Sequence, residues 1–154
     1  LTPGARNYWK SHDFTELADP AIDVLLNSVA NLPDPACEVF IAHVGGAMSR
    51  IPGDATAFPQ RNAHFVMNVH TRWEDRAKDD ACIAWARDLF AKTTPYSAGS
   101  VYVNFVPDDE PGRLAEAYGP NMDRLMAVKA KYDPHNLFRV NHNILPATQT
   151  VAAQ

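Results

Sequence analysis

The sequence is poor in cysteine and has no long apolar run. Only two cysteines, Cys37 and Cys82, occur among the 154 residues. They have neither the spacing of metal ligands nor the density of a disulfide scaffold, so we expect two reduced, buried thiols. No apolar run has the ~20 residues of a membrane-spanning helix, and no signal-peptide pattern opens the chain, so no membrane partner is expected. The location stays open, with the cytoplasm as the default expectation.

The chain also lacks a concentration of positive charge. Eighteen acidic and fourteen basic residues give a net charge of −4, and the basic residues are scattered along the sequence. A nucleic-acid-binding surface requires lysine and arginine clustered on one face or stripe. We therefore expect no nucleic-acid partner.

Three common site patterns are missing as well. No pair among the six histidines has the four-residue spacing that presents two imidazoles to one metal ion, so no metal site is predicted. No glycine-flanked serine elbow occurs. The pair Gly45 and Gly46 indicates a turn and not a phosphate-binding loop.

What is present is the material for one folded domain, since 46% of the residues are hydrophobic. Alternating patterns predict strands in the "NYWK" segment and at residues 38–46, 64–70 and 100–106. Helical spacing predicts helices from Pro20 to before Pro33, over residues 73–92, and from Asn121 to Asp133. This order of elements predicts an α+β fold, with an antiparallel or mixed sheet covered by helices.

Two predicted strands carry polar side chains on the face opposite the core. In "HFVMNVH", Phe65, Met67 and Val69 are predicted to face the core, and the opposite face carries His64, Val66, Asn68 and His70. In "SVYVNFV" the opposite face carries Tyr102 and Asn104. A phenol beside an amide can hold a polar planar ligand or relay a proton. The alternative is that this face simply meets water.

The segment "YDPHNLFRVNHNILP", residues 132–146, has an unusual composition for the end of a chain. It holds three asparagines, two histidines, an arginine and two prolines. Asn141 and Asn143 are two residues apart in a segment that we predict to be extended, so they share a face, with Arg139 beside them. The alternative is that asparagines so close to a chain end form turns.

These segments resemble the C-terminal part of the berberine bridge enzyme-like flavoproteins, FAD-linked oxidoreductases of the vanillyl-alcohol oxidase and p-cresol methylhydroxylase superfamily. The closing segment of that family reads Tyr-Asp-Pro-x-Asn-Leu-Phe-Arg-x-Asn-x-Asn-Ile-x-Pro, and every fixed position is present from Tyr132 to Pro146. The stretches "RNYWKS", "GGAMSRIP" and "AFPQRNAHFVMNVHTRW" are also similar to the family. The resemblance therefore covers nearly the whole chain.

The resemblance implies a substrate-binding (cap) domain at residues 1–131 and a closing segment at residues 132–146 that contacts the flavin domain. Residues 147–154 are expected to be a disordered tail. FAD is the implied cofactor. The FAD-binding domain that precedes this region in the family is the implied partner, and without it we expect the chain to be inactive.

The resemblance also implies roles for individual residues. The Tyr-x-Asn strand that covers the reactive face of the flavin corresponds to Tyr102 and Asn104, and the asparagines that contact the isoalloxazine correspond to Asn141 and Asn143. Many members have a second tyrosine where this chain has Phe105, which leaves the catalytic base open. Tyr102 is the first choice, and the alternatives are Glu38, His64 and His70.

The implied reaction oxidises an alcohol, amine or similar carbon centre of a small organic substrate by hydride transfer to FAD, while a base removes the proton. A free phenol ionises only near pH ~10, so Tyr102 would need a positive neighbour or the flavin itself to act as the base. The expected substrate pocket is lined by Glu38, Phe40, His64 and Asn68.

A second hypothesis is a stand-alone α+β module that binds a small ligand or forms a homodimer through its exposed sheet face. The closing segment distinguishes the two. A segment packed onto its own domain, with its asparagines satisfied internally, favours the stand-alone module, whereas a projecting, poorly satisfied segment favours the flavoprotein.

Overall fold

The computed structural model describes residues 4–147, so the predicted tail lies outside the described residues except for Ala147. Three antiparallel strands form a sheet in the order β1-β3-β2. The strands are β1 (Arg6–Phe14), β2 (Glu38–His43) and β3 (Phe65–Trp73), and the α-helices are α1 (Asp19–Val29), α2 (Asp79–Thr93), α3 (Leu114–Tyr118) and α4 (Met122–Tyr132). The predicted α+β fold is confirmed. Among the α-helices of this region, none has the length and apolar content that a membrane span requires.

The core lies between one face of the sheet and two helices. Met67 and Val69 of the central strand β3 are fully buried against Ala86 and Leu89 of α2, and Leu25 of α1 joins the same cluster. Burial of each such side chain contributes about 1.5–3 kcal/mol to folding. The apolar face predicted from the period-two alternation of β3 is therefore the one that the helices cover.

Helix α2 begins later than the predicted start at Trp73. The strand β3 runs through Trp73, which pairs with Arg6 of β1. The turn that follows is capped by the Asp75 carboxylate, which accepts a hydrogen bond from the Ala77 backbone N–H at 2.9 Å. Nine residues of β3 pair with β1, and this pairing keeps Trp73 in the strand although the spacing of apolar residues there favours a helix.

Only part of the apolar face predicted for α1 is packed. Leu25 is buried, but Leu26 is 60% exposed, and Ile22 and Val29 are also exposed. The helix packs against α2, where the Trp85 indole donates a hydrogen bond to the Ser28 carbonyl at 3.2 Å. One stripe of α1 is therefore buried, while a second apolar stripe meets solvent in the described structure.

Residues 100–106, predicted as a strand, instead form a turn with a 3₁₀ helix at Val103–Phe105. The Phe105 N–H bonds to the Tyr102 carbonyl at 2.8 Å and closes the turn. Val101 and Val106 are buried with Ala117 of α3 in a small separate cluster. The chain curls because this cluster buries both valines together, which an extended strand leaving the sheet would not allow.

The two edges of the sheet differ. The outer edge of β1 is covered by residues 98–113, because the Ala98 N–H bonds to the Asp13 carbonyl at 2.7 Å and Arg113 Nη1 donates to the Ser11 carbonyl at 2.9 Å. The outer edge of β2 has no strand beside it among residues 4–147. Such an edge presents unpaired backbone groups to any strand that approaches it.

His12 is buried between β1 and α2. Its ring is 3% exposed and stacks on Phe90 with the ring centroids 4.0 Å apart, and Nε2 lies 3.2 Å from the Phe90 carbonyl oxygen. Burial lowers the pKa of His12 from 6.5 to about 4. At neutral pH the ring is therefore uncharged and donates from Nε2 to the carbonyl.

We expect the free energy of unfolding to fall by about 2 kcal/mol between pH 7 and pH 5 because of His12. The unfolded chain binds this proton near pH 6.5 and the folded chain only near pH 4, so acid favours the unfolded state between these values. Urea unfolding of the wild type and of His12→Phe at several pH values tests this. The variant should lose most of the slope, and an unchanged slope would contradict the assignment.

Candidate functional site

The sheet face opposite the helices carries a cluster of polar and aromatic side chains, which we call the open face: Glu38, Phe40, Asn68 and His70. In the β2–β3 register Phe40 lies opposite Asn68, and Glu38 lies opposite His70. Phe40 is 52% exposed, whereas Asn68 is buried and its Oδ1 has no hydrogen-bond partner in the described structure. Three of the four predicted pocket residues are therefore neighbours.

The two ionisable members of the open face are bound to each other. Glu38 Oε1 lies 3.3 Å from His70 Nδ1 and 3.5 Å from Arg72 Nη2. The second ring nitrogen of His70, Nε2, is 3.1 Å from Asn7 Oδ1. Both imidazole nitrogens thus have protein partners, and the Glu38 carboxylate has a cationic neighbour in Arg72.

His64, the fourth predicted pocket residue, lies just before β3 and is exposed. Its backbone N–H bonds to the Phe14 carbonyl at 2.8 Å, and its carbonyl accepts from the Val44 N–H at 2.7 Å. The residue therefore links all three strands at their end, while its side chain points into solvent.

Tyr102 and Asn104 meet, although their backbone forms a turn and not a strand. Asn104 Nδ2 donates a hydrogen bond to the Tyr102 hydroxyl oxygen at 2.7 Å. The phenol ring lies edge-on to Phe105 and to Phe58, with centroids 5.3 Å and 6.2 Å away. The hydroxyl hydrogen of Tyr102 stays available for a ligand, because the hydroxyl acts only as acceptor toward Asn104.

Asp13 holds this turn against β1 and was not identified from the sequence. It is 1% exposed, and its carboxylate accepts a hydrogen bond at 2.8 Å from Oγ of Ser100, two residues before Tyr102. Burial raises the pKa of the Asp13 carboxyl. The sequence did carry a signal for Asp13: it is an acidic residue near the end of the strand β1, where the neighbouring residues are buried.

The closing segment begins with a turn organised by Asp133. This buried carboxylate accepts hydrogen bonds from the backbone N–H groups of Leu137, at 2.7 Å, and Phe138, at 3.0 Å. Lys129 Nζ forms an ion pair with Asp133 and also donates to the Phe138 carbonyl. Asn136 takes a left-handed φ of 51°, which asparagine tolerates better than most residues. The Asp-Pro-x-Asn-Leu-Phe sequence thus specifies one turn.

The arm, residues 137–145, leaves this turn with its apolar side chains uncovered. Leu137 is 76% exposed, Phe138 is 81% exposed and Val140 is 83% exposed. Monomeric proteins rarely expose adjacent large apolar side chains in this way unless another surface covers them.

The asparagines of the arm lie on a bend and not on an extended segment. Asn141 has a left-handed φ of 60°, and the Asn143 N–H bonds to the Asn141 carbonyl at 3.0 Å. Asn143 Oδ1 is buried and has no hydrogen-bond partner within residues 4–147. The bend matches the turn alternative of the sequence analysis.

The predicted site residues form three groups: the open face, the Tyr102–Asn104 pair and the arm. Within the described residues no hydrogen bond joins one group to another. Each group keeps unused polar or apolar surface, such as the amide oxygens of Asn68 and Asn143 and the side chain of Phe138.

Comparison with known proteins identifies relatives that are much longer. Residues 101–145 match the family described as "Berberine and berberine like". Over 137 residues the chain is 36% identical to an uncharacterized FAD-linked oxidoreductase of Bacillus subtilis (strain 168), YvdP, and the match covers 88% of this chain and 30% of the relative. It is also 36% identical over 121 residues to berberine bridge enzyme-like 17 of Arabidopsis thaliana, covering 68% of this chain and 23% of that protein.

The fold has known counterparts too. The crystal structure of the glycopeptide hexose oxidase DBV29, complexed with teicoplanin, matches with a TM-score of 0.79 at 26% identity, over 93% of this chain and 33% of that one. These matches confirm the resemblance to berberine bridge enzyme-like FAD-linked oxidoreductases. The chain spans between 23% and 33% of the length of these proteins.

Replacing Asp133 by Asn should release the arm. The amide cannot form the ion pair with Lys129, and its nitrogen cannot accept a backbone N–H, so hydrogen exchange at Leu137 and Phe138 should quicken at least ~10-fold. Hydrogen exchange measured by NMR tests this. Asp123→Asn, at an exposed position of α4, is the matched control and should leave both amides unchanged. Unchanged protection in Asp133→Asn would contradict the role of the carboxylate.

Proposed function

We propose that this chain is the substrate-domain portion of an FAD-dependent oxidoreductase that oxidises an alcohol, amine or similar carbon centre of a small organic substrate. FAD is bound mostly by a separate FAD-binding domain, against which the arm and the open face pack. The chain alone is inactive, because its three groups of site residues are completed only by that domain.

The exposed arm is the observation that carries this proposal. Leu137, Phe138 and Val140 are each more than three-quarters exposed, and yet their backbone direction is fixed by the Asp133 turn. A fixed apolar segment that is not used by its own domain is suited to bind a partner surface. The relatives that the chain matches have most of their length outside the match, and this length has room for such a partner.

The polar groups of the chain suit the isoalloxazine of FAD, whose pyrimidine ring presents carbonyl oxygens and an N–H. Asn143 has a buried Oδ1 without a partner, and Asn141 is exposed beside it. The Tyr102 hydroxyl can donate, and the exposed Asn104 side chain keeps its carbonyl oxygen free. Amides and a phenol can complement both donors and acceptors of a planar ring.

Bound FAD supplies the hydride acceptor. In our proposal the Tyr102 phenol first releases its own proton to solvent, and its phenolate oxygen then takes the substrate proton. The hydrogen bond from Asn104 Nδ2 orients this oxygen and stabilises the negative charge that develops on it. Phe58 and Phe105 flank the phenol and reduce its contact with water, which strengthens that hydrogen bond.

The alternative bases are less suitable. The Glu38 carboxylate oxygen Oε1 already pairs with Arg72 and His70, so protein groups occupy the atom that would have to reach the substrate. His70 has both ring nitrogens within hydrogen-bonding distance of protein acceptors. We place these residues in the substrate pocket instead, where exposed Phe40 offers an apolar wall and Asn68 a polar contact.

Tyr102→Phe in the complete flavoprotein should slow flavin reduction by substrate by ~10²–10⁴-fold, the usual contribution of a general base. The flavin itself should stay bound, because the substitution removes only a hydroxyl. Anaerobic stopped-flow measurement of flavin absorbance tests the rate. Tyr96→Phe, which makes the same chemical change on the helix side of the sheet, should behave as the wild type. Equal rates for Tyr102→Phe and the wild type would exclude Tyr102 as the base.

A second candidate function is a small-ligand-binding or dimerisation module, and the unpaired edge of β2 favours it. The edge strand carries exposed Phe40 beside free backbone groups, so two copies of the isolated chain can associate through the open face. Sedimentation equilibrium of the isolated chain should show self-association.

Phe40→Ser should weaken that association at least ~10-fold, since it removes an apolar side chain from the contact. Leu26→Ser is the matched control, because Leu26 is similarly exposed but lies on α1. A wild-type chain that stays monomeric at high concentration would contradict the dimerisation proposal.

A further inference from the structure

The two cysteines lie side by side, although 45 positions separate them in sequence (82 − 37). Cys37 precedes the first residue of β2, and Cys82 lies in the first turns of α2. Both are free and buried, and they pack together with Trp73 of β3 in one cluster. The fold thus brings together two thiols whose proximity could not be predicted from their spacing in the sequence.

A hydrogen bond ties one thiol of the pair to the sheet. The Cys37 thiol donates to the Arg72 carbonyl at a sulfur–oxygen distance of 3.6 Å. Cys82 belongs to the same buried cluster and lies close enough to Cys37 for that neighbour to affect its ionisation. Burial, together with Cys37 as neighbour, raises the pKa of the Cys82 thiol to about 12. Cys82 is therefore a protonated thiol at neutral pH.

Solvent approaches the pair from the Cys37 side. A surface cleft of about 440 Å³ is lined by residues that include Ala36, Arg72, Trp73 and Lys78. Ala36 is the chain neighbour of Cys37, Arg72 accepts its hydrogen bond and Trp73 packs on it. Cys37 is 4% exposed, whereas Cys82 is completely buried. A molecule as small as a peroxide thus reaches Cys37 first.

We propose that Cys37 and Cys82 form a redox-active dithiol, which a hydroperoxide converts into an intrachain disulfide. In the first step the Cys37 sulfur attacks one peroxide oxygen, the O–O bond breaks, and a sulfenic acid and one water form when hydrogen peroxide is the oxidant. In the second step the Cys82 sulfur attacks the Cys37 sulfur and displaces hydroxide, which leaves as water with the Cys82 proton. Two thiols lose two electrons in total, and one peroxide is reduced to two waters.

The disulfide would fasten the start of the edge strand β2 to helix α2. In the reduced protein β2 pairs with β3 on one side, and no strand lies beside its other edge among residues 4–147. A covalent bond to α2 closes a long loop and restricts the unfolded chain, so the oxidised form should unfold at a temperature several degrees higher. The inference does not depend on the proposed flavin chemistry.

The test is oxidation of the 154-residue chain with excess hydrogen peroxide, followed by catalase, denaturation and labelling with N-ethylmaleimide. We expect no label, an intact mass lower by ~2 Da once the ~16 Da added at each oxidised methionine is subtracted, and a tryptic cross-link between Cys37 and Cys82; dithiothreitol should reverse the changes at the cysteines. Cys82→Ala should instead leave Cys37 as a sulfenic acid that dimedone traps. Thermal unfolding of each form reports whether the variant folds.

Two results would overturn the proposal. One is full labelling of both cysteines in the wild type after peroxide has oxidised the methionines, which serve as internal reporters of the oxidant. The other is a disulfide between two chains on a non-reducing gel in place of the intrachain bond. Both results are read from the wild-type protein, so they do not depend on the folding of a variant.

Discussion

The ion pair of Lys129 with Asp133 determines how this chain presents its last residues. The carboxylate receives the backbone N–H groups of Leu137 and Phe138, while the lysine holds the Phe138 carbonyl, so the turn after α4 is bound from both sides. Lys129 also lowers the pKa of Asp133, so the pair remains ionised at neutral pH. The arm therefore leaves the domain in a defined direction, with its apolar side chains and Asn141 uncovered. Without this turn, nothing would fix the backbone direction of the same residues.

The sheet also has surfaces that the chain itself covers and surfaces that it leaves uncovered. One face buries Met67 and Val69 under the helices, and the outer edge of β1 is covered by the segment that carries Tyr102. The open face keeps an orphaned amide oxygen on Asn68, and the β2 edge has no neighbour in the described residues. A stable core thus supports surfaces whose polar and apolar groups are not satisfied by the chain itself. This distribution is what a substrate domain needs if a second domain completes its site.

Local patterns predicted the parts of the fold that depend on local physics. The alternation of β3 identified its core face, and the Asp-Pro-x-Asn sequence marked the closing segment. Tertiary contacts decided the rest: pairing with β1 extended β3 through Trp73, and a valine cluster curled residues 100–106 into a turn. The neighbouring thiols of Cys37 and Cys82, and the anchoring of the Tyr102 turn by Asp13, arise from residues far apart in sequence. Spacing along the chain carries no signal for such contacts.

We propose that this chain works as one part of a flavoprotein. The most direct test of this proposal is the visible absorption spectrum of the protein purified from its native source, where any partner half would accompany it. We expect a flavin spectrum together with a second, larger polypeptide or a longer chain. A colourless, single species of 17.0 kDa that does not bind added FAD would contradict it and favour the stand-alone binding module.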